Sequence, residues 1–96
     1  MPLFIVIAKH GPDSCPAGDP DMEKMLLSHL HGDNASKLGI NIQATVGAES
    51  QHTLHLVMDA PDSQKVDEFM AMFTQMGSVE VIPGITCDAV VARGRC

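Results

Sequence analysis

The sequence predicts an α+β fold, a ferredoxin-like βαββαβ sandwich. Three patterns carry that expectation. A continuous β-branched and aromatic run opens the chain at residues 3–8. Two apolar stripes at helical spacing follow, each bounded by Pro, Asp and Gly signals. Between the stripes lie two short alternating segments separated by a turn, and a last strand closes the order. The length, 96 residues, is that of one domain spanning 1–96.

The elements follow in order. Leu3, Phe4, Ile5, Val6, Ile7 and Ala8 read as a strand buried on both faces. Residues 10–20 are a loop, punctuated by Gly11, Pro12, Pro16, Gly18 and Pro20. Asp19 caps the first helix with Pro20 at its first position. Met22, Met25, Leu26, Leu27 and Leu30 give that helix its apolar stripe. Gly32, Asp33 and Asn34 break or kink it, and Gly39 terminates the extension over residues 35–38. Ile40, Ile42, Ala44 and Val46 alternate with Asn41, Gln43 and Thr45, a half-buried strand with one apolar face. Residues 47–51 turn. Residues 53–58 form the next strand, with Leu54, Leu56 and Met58 on one face and Thr53, His55 and Val57 on the other. Asp62 or Ser63 caps the second helix, whose buried side is Val66, Phe69, Met70, Phe73 and Met76, with Gly77 at its end. Val79, Val81 and Pro83 mark the last strand, and Thr86 caps a short tail helix over residues 87–92.

This order, with its central hairpin and two helices of similar length, predicts a four-stranded antiparallel sheet of order 4-1-3-2. Both helices cover one face. The other face carries Asn41, Gln43, His55 and Glu80 among apolar side chains of the first strand. A central strand that is apolar on both sides needs cover on both, so the expected assembly is a homodimer packed sheet to sheet.

Composition narrows the function classes. Hydrophobic residues make up 45% and charged residues 19%, which is globular rather than disordered. Six basic against twelve acidic residues give a formal charge of −6, which speaks against nucleic acid and anionic membrane as partners. Trp and Tyr are absent, so no stacking platform for bases is expected. The apolar run at the start lacks a basic flank and is too short for a signal segment or a membrane span. Three cysteines, Cys15, Cys87 and Cys96, form no CxxC pair, so the expectation is reduced thiols in a cytoplasmic setting.

The topology turns two distant signals into one place. Strands one and three are expected side by side and antiparallel, so the end of the first lies beside the start of the third. His10 closes the first and His52 opens the third, while Cys15 follows five residues after His10. Imidazole and thiolate together suit Zn, Cu or Ni. Glu49 in the neighbouring turn would add a carboxylate or orient an imidazole. The plainer reading makes the histidines ordinary strand-end residues and Cys15 a packed loop thiol.

The element order, the length and the phrase Gln51-His52-Thr53 resemble small proteins of the dimeric α+β barrel group. The segment His10-Gly11-Pro12-Asp13-Ser14-Cys15-Pro16 is similar to a His-x-Pro-x-x-Cys-Pro loop of uncharacterised members of that group. The resemblance covers nearly the whole chain as a pattern. It implies the fold more strongly than a reaction, because the group includes small monooxygenases, isomerases, haem-dependent enzymes and metal-binding domains.

Other chemistry-bearing residues have simpler readings. Pro2 would be an N-terminal secondary amine after Met removal, and the opening residues resemble tautomerases that use such a proline as base. No arginine stands ready as its partner, since Arg93 and Arg95 lie in the tail. The methionines are core fillers rather than a copper store. His29 and His31 are solvated helix-end residues, Cys87 a small packed hydrophobe and Cys96 a free tail thiol. The leading expectation is a small dimeric sensory or carrier domain holding a transition metal or a metal-bearing cofactor at His10, Cys15 and His52, with Glu49 beside them. The alternative is a small α+β barrel enzyme, of monooxygenase or isomerase type, acting on a small organic molecule. His10 or His52 would be its general base and Cys15 a polar or nucleophilic partner.

Overall fold

The computed structural model describes residues 2–11, 20–31, 33–75 and 77–95. Its elements are β1 (Leu3–His10), α1 (Pro20–His31), α2 (Asn34–Lys37), β2 (Asn41–Ala48), β3 (Thr53–Asp59), α3 (Ser63–Phe69), α4 (Ala71–Thr74), β4 (Gly77–Gly84) and α5 (Cys87–Arg93). A 3-10 turn, Glu49–Gln51, joins β2 to β3. The sheet is antiparallel with order β2-β3-β1-β4, the expected order counted from the opposite edge.

Register decides which side chains share a face, because directly paired residues point the same way. Phe4 pairs with Met58, Val6 with Leu56 and Ala8 with Leu54. This face is buried against Leu30 and Ala35 of α1 and α2, against Val66 and Phe69 of α3 and Phe73 of α4, and against Met70 between those two helices. Val6, Met58, Val66 and Met70 are fully buried. Such burial is worth about 1.5–3 kcal/mol for each large apolar side chain, so this layer holds the domain together. The opposite face carries Ile5, Ile7, Val57 and Ile82 with His55 and Glu80. Among the described residues no layer covers it, and there β1 is buried on one side only: Ile5 is 40% exposed while Val6 beside it is 0%.

Several local expectations are corrected. The alternation in β2 does not run through, because the register shifts between Ile42 and Ala44. The extra residue of this bulge carries Ala44 and Val46 to the open face, where Val46 is 61% exposed. The second helix divides at Met70, which takes φ −90° and ψ 3° between α3 and α4. Gly77 does not end that helix but begins β4. Of the two candidate caps, Asp62 is the one used, accepting from the Lys65 N–H at 2.9 Å. The proposed cap Asp19 and the residues Gly32, Met76 and Cys96 lie outside the described residues. Among the described residues no helix is long and apolar enough to cross a membrane.

Candidate functional site

β1 delivers His10 to the end of the sheet, beside the residue that leads into β3. The His10 N–H donates to the His52 carbonyl at 3.2 Å, one step past the last paired residues Lys9 and Thr53. The two imidazole rings lie 5.4 Å apart between centroids, at 71° in an edge-to-face arrangement. Both residues are half-buried.

Three features fix this corner. His52 has φ +49°, in the left-handed region that a non-glycine residue occupies at a cost. The chain turns sharply there from the 3-10 turn into β3. The next residue, Thr53, is buried and donates its hydroxyl to the Gln51 carbonyl at 2.9 Å, which ties the turn to the strand. On the other side, β4 pairs Gly77 with His10. A Cβ on Gly77 would overlap the Lys9 carbonyl oxygen, so only glycine permits β4 to approach the His10 backbone this closely.

The His10 ring is electrostatically distinctive. Its Nε2 is buried and has no hydrogen-bond partner among the described residues. Burial, and after it the charge of His52, hold the His10 imidazole below its ordinary value of 6.5. At neutral pH His10 is therefore uncharged, the form in which an imidazole nitrogen binds a metal or accepts a proton.

The other residues expected at this site stand differently. Cys15 lies within residues 12–19, outside the described residues. Glu49 begins the 3-10 turn three residues before His52, and only its backbone is described. The described residues alone contain no group of three or more His, Cys, Asp or Glu placed to hold a metal ion. The structure thus brings His10 and His52 together and leaves Cys15 and Glu49 unplaced.

Two polar arrangements were not foreseen. His29 is not a solvated helix-end residue: its ring stacks on Phe69 at 4.3 Å and 17°. Its Nε2 lies 2.8 Å from the Phe69 carbonyl, and its Nδ1 lies 3.3 Å from Asn34 Nδ2. The Asn34 amide donates, so Nδ1 is the acceptor and Nε2–H the donor to Phe69. At the far end of the sheet from His10, the Asp59 carboxylate accepts from Gln43 at 2.6 Å and Asn41 at 3.3 Å. Those two bonds hold Asp59 below its ordinary carboxylate value. The Asn41–Asp59 pair follows from hairpin register, and Gln43, at the register shift, makes the shorter of the two bonds.

Residues 3–95 match the family model described as Domain of unknown function (DUF3303), and the chain belongs to that family. No curated protein matches it.

Proposed function

We propose that this DUF3303 member is a small, homodimeric, ferredoxin-like domain of the dimeric α+β barrel type. Its function is to hold a transition metal, or a metal-bearing cofactor, where His10 and His52 meet. The observation that carries this reading is the buried His10 Nε2, without a hydrogen-bond partner among the described residues, beside a second imidazole 5.4 Å away between centroids. A buried polar atom left unpaired costs about 1–3 kcal/mol, and native structures rarely tolerate one without a use. A bound ion removes that cost.

The residues fit such a group. Two imidazoles bound through nitrogen at about 2.0–2.1 Å to one tetrahedral ion hold their centroids about 5 Å apart. The observed spacing meets that demand, and the suppressed basicity of His10 keeps its ring unprotonated. Cys15 and Glu49 are the thiolate and carboxylate within chain reach that complete the donor set, which favours Zn, Cu or Ni over a hard cation. The open sheet face, with Ile5 and Ile82 exposed and Ile7 and Val57 half-buried, is the dimer interface of this reading. The setting is cytoplasmic, where the thiols stay reduced.

The same neutral His10 supports a second reading, in which it is the general base of a small α+β barrel enzyme acting on an organic molecule. Metal-dependent stabilisation separates the two. Zn²⁺ or Ni²⁺ should raise the melting temperature of the wild type, because the ion binds only the folded state. The rise should fade below about pH 6, where imidazoles protonate. His10→Ala, His52→Ala and Cys15→Ser should each remove most of it. If the His10 and His52 variants respond as the wild type does, the metal reading fails and the enzyme reading takes its place.

A further inference from the structure

The segment from Ser63 to Thr74 reads in sequence as one helix, yet it is divided. Its apolar positions Val66, Phe69, Met70 and Phe73 keep helical spacing across the division. Residues 63–75 contain neither proline nor glycine. Helix breaks without them come from a π-bulge or from a group inserted into the backbone ladder. The hydrogen bonds identify an inserted group. The α3 ladder ends with the Met70 N–H donating to the Val66 carbonyl at 2.9 Å. A new ladder starts at Met70, whose carbonyl accepts from the Phe73 and Thr74 N–H groups at 2.9 and 3.3 Å. In an unbroken helix the Phe73 N–H would donate to the Phe69 carbonyl. That carbonyl accepts instead from His29 Nε2 of α1, at 2.8 Å.

The insertion is braced on several sides. Phe69 is 1% exposed, so its carbonyl needs a protein donor once the helix withholds one. The His29 ring stacks on Phe69 of α3 and lies tilted 5.9 Å from Phe73 of α4, one ring from each side of the division. Asn34, 3.3 Å from Nδ1, keeps the ring proton on Nε2. The Phe69 carbonyl thus has two competing donors, each with its own backbone: His29 with the divided segment, Phe73 with a continuous helix. Met70 marks which one holds, at φ −90° and ψ 3° rather than the helical values of about −63° and −42°.

The division has a consequence at the far end of α4. Two residues separate Thr74 from Gly77, where β4 begins, and α4 packs on β4. The direction of α4 therefore sets how β4 enters the sheet. Gly77 has no clearance there, because it pairs with His10 and a Cβ on it would overlap the Lys9 carbonyl.

We propose that His29 is a latch: it holds the Phe69 carbonyl out of the helix ladder, divides α3 from α4 at Met70, and so keeps the start of β4 seated against the His10 backbone. Releasing the latch joins residues 63–74 into one helix, turns α4 and loosens β4 at Gly77. His29 is in this way a positioning residue for the His10 corner, whether or not that corner holds a metal.

Nuclear magnetic resonance on the full chain tests the latch, with two variants that separate donor from stack. In the wild type at alkaline pH the neutral His29 ring should carry its proton on Nε2, read from the ring nitrogen shifts; a proton on Nδ1 overturns the latch before any variant is made. His29→Phe keeps the stack and removes the donor. The Met70 amide coupling, which reports φ, should then move to the helical value. Amide exchange at Gly77, Ser78 and Val79 should quicken about tenfold relative to Ile82 and Gly84 of the same strand. His29→Gln keeps an amide donor without the stack, and should retain the wild-type coupling and the wild-type exchange ratio. Met70 unchanged in His29→Phe, or helical in His29→Gln, overturns the latch. A joined helix with uniform exchange along β4 overturns the link to His10.

Discussion

His29→Ala should cost this protein far more than a surface substitution. His29 joins α1 to α3 in two ways and to α2 in a third. Its Nε2–H bond to the Phe69 carbonyl, at 2.8 Å, is part-buried and worth about 1 kcal/mol. Its stack on Phe69, at 4.3 Å and 17°, is worth about 0.5–1.5 kcal/mol beyond simple burial. The Asn34 contact is exposed and adds little. The sum is about 2 kcal/mol, which lowers a melting temperature by about 8–16 °C in a domain of this size. In urea the midpoint should fall by about 1 M with the slope unchanged. Far-ultraviolet circular dichroism at pH 7 and one fixed protein concentration reads both. His29→Phe keeps the stack and removes the hydrogen bond, so it should recover about half of the loss. A His29→Ala variant within about 0.5 kcal/mol of the wild type would refute the reasoning, since that is the behaviour of a solvated side chain.

Three further outcomes follow from the same geometry. Val6→Asp places an unpaired carboxylate at a fully buried position of β1, and the variant should fail to fold; a soluble form of unchanged stability would show that the core is wrongly located. His10 gives the metal-free protein an acid-side weakness. Its native pKa lies below the unfolded value, so the unfolded chain takes up the proton first and stability falls as pH drops through about 6.5. Above that value the effect vanishes, and His10→Gln should flatten the profile; equal slopes between about pH 7.5 and about pH 5 would contradict it. Gly77→Ala forces β4 away from the His10 backbone and should cost about 1–3 kcal/mol, measurable in urea; a variant as stable as the wild type would mean that β1 and β4 are not so closely paired.

Much of this fold was legible because its signals are local. The run at residues 3–8, the cap at Thr86 and the turn at Gly39 each depend on a few neighbours and appear where the sequence put them, and the second helix takes one of its two candidate caps, Asp62. What escaped depends on contacts between distant segments. The β2 bulge changes the facing of Val46 without altering the alternation that a reader sees. The apolar stripe Val66, Phe69, Met70 and Phe73 continues unbroken across the division at Met70, so periodicity gives no sign of it. His29 reads as solvated until α1 packs on α3.

The candidate site shows the same division. Sheet order alone places the end of β1 beside the start of β3, and so His10 beside His52. The left-handed turn at His52 and the burial of His10 Nε2 arise from the packing of that corner and have no sequence signature. Cys15 and Glu49 rest on the sequence and on chemical complementarity to the two imidazoles.

The central claim is that the two imidazoles share a metal ion, and metal stoichiometry tests it most directly. Protein purified without a metal-affinity tag would be dialysed to equilibrium against Zn²⁺ or Ni²⁺ at neutral pH and its bound metal counted by elemental analysis. The account predicts one ion per chain in the wild type and background levels in His10→Ala and in His52→Ala, with His55→Ala, on the open sheet face, unchanged. Equal metal in the wild type and both site variants, or none in any of them, would contradict it.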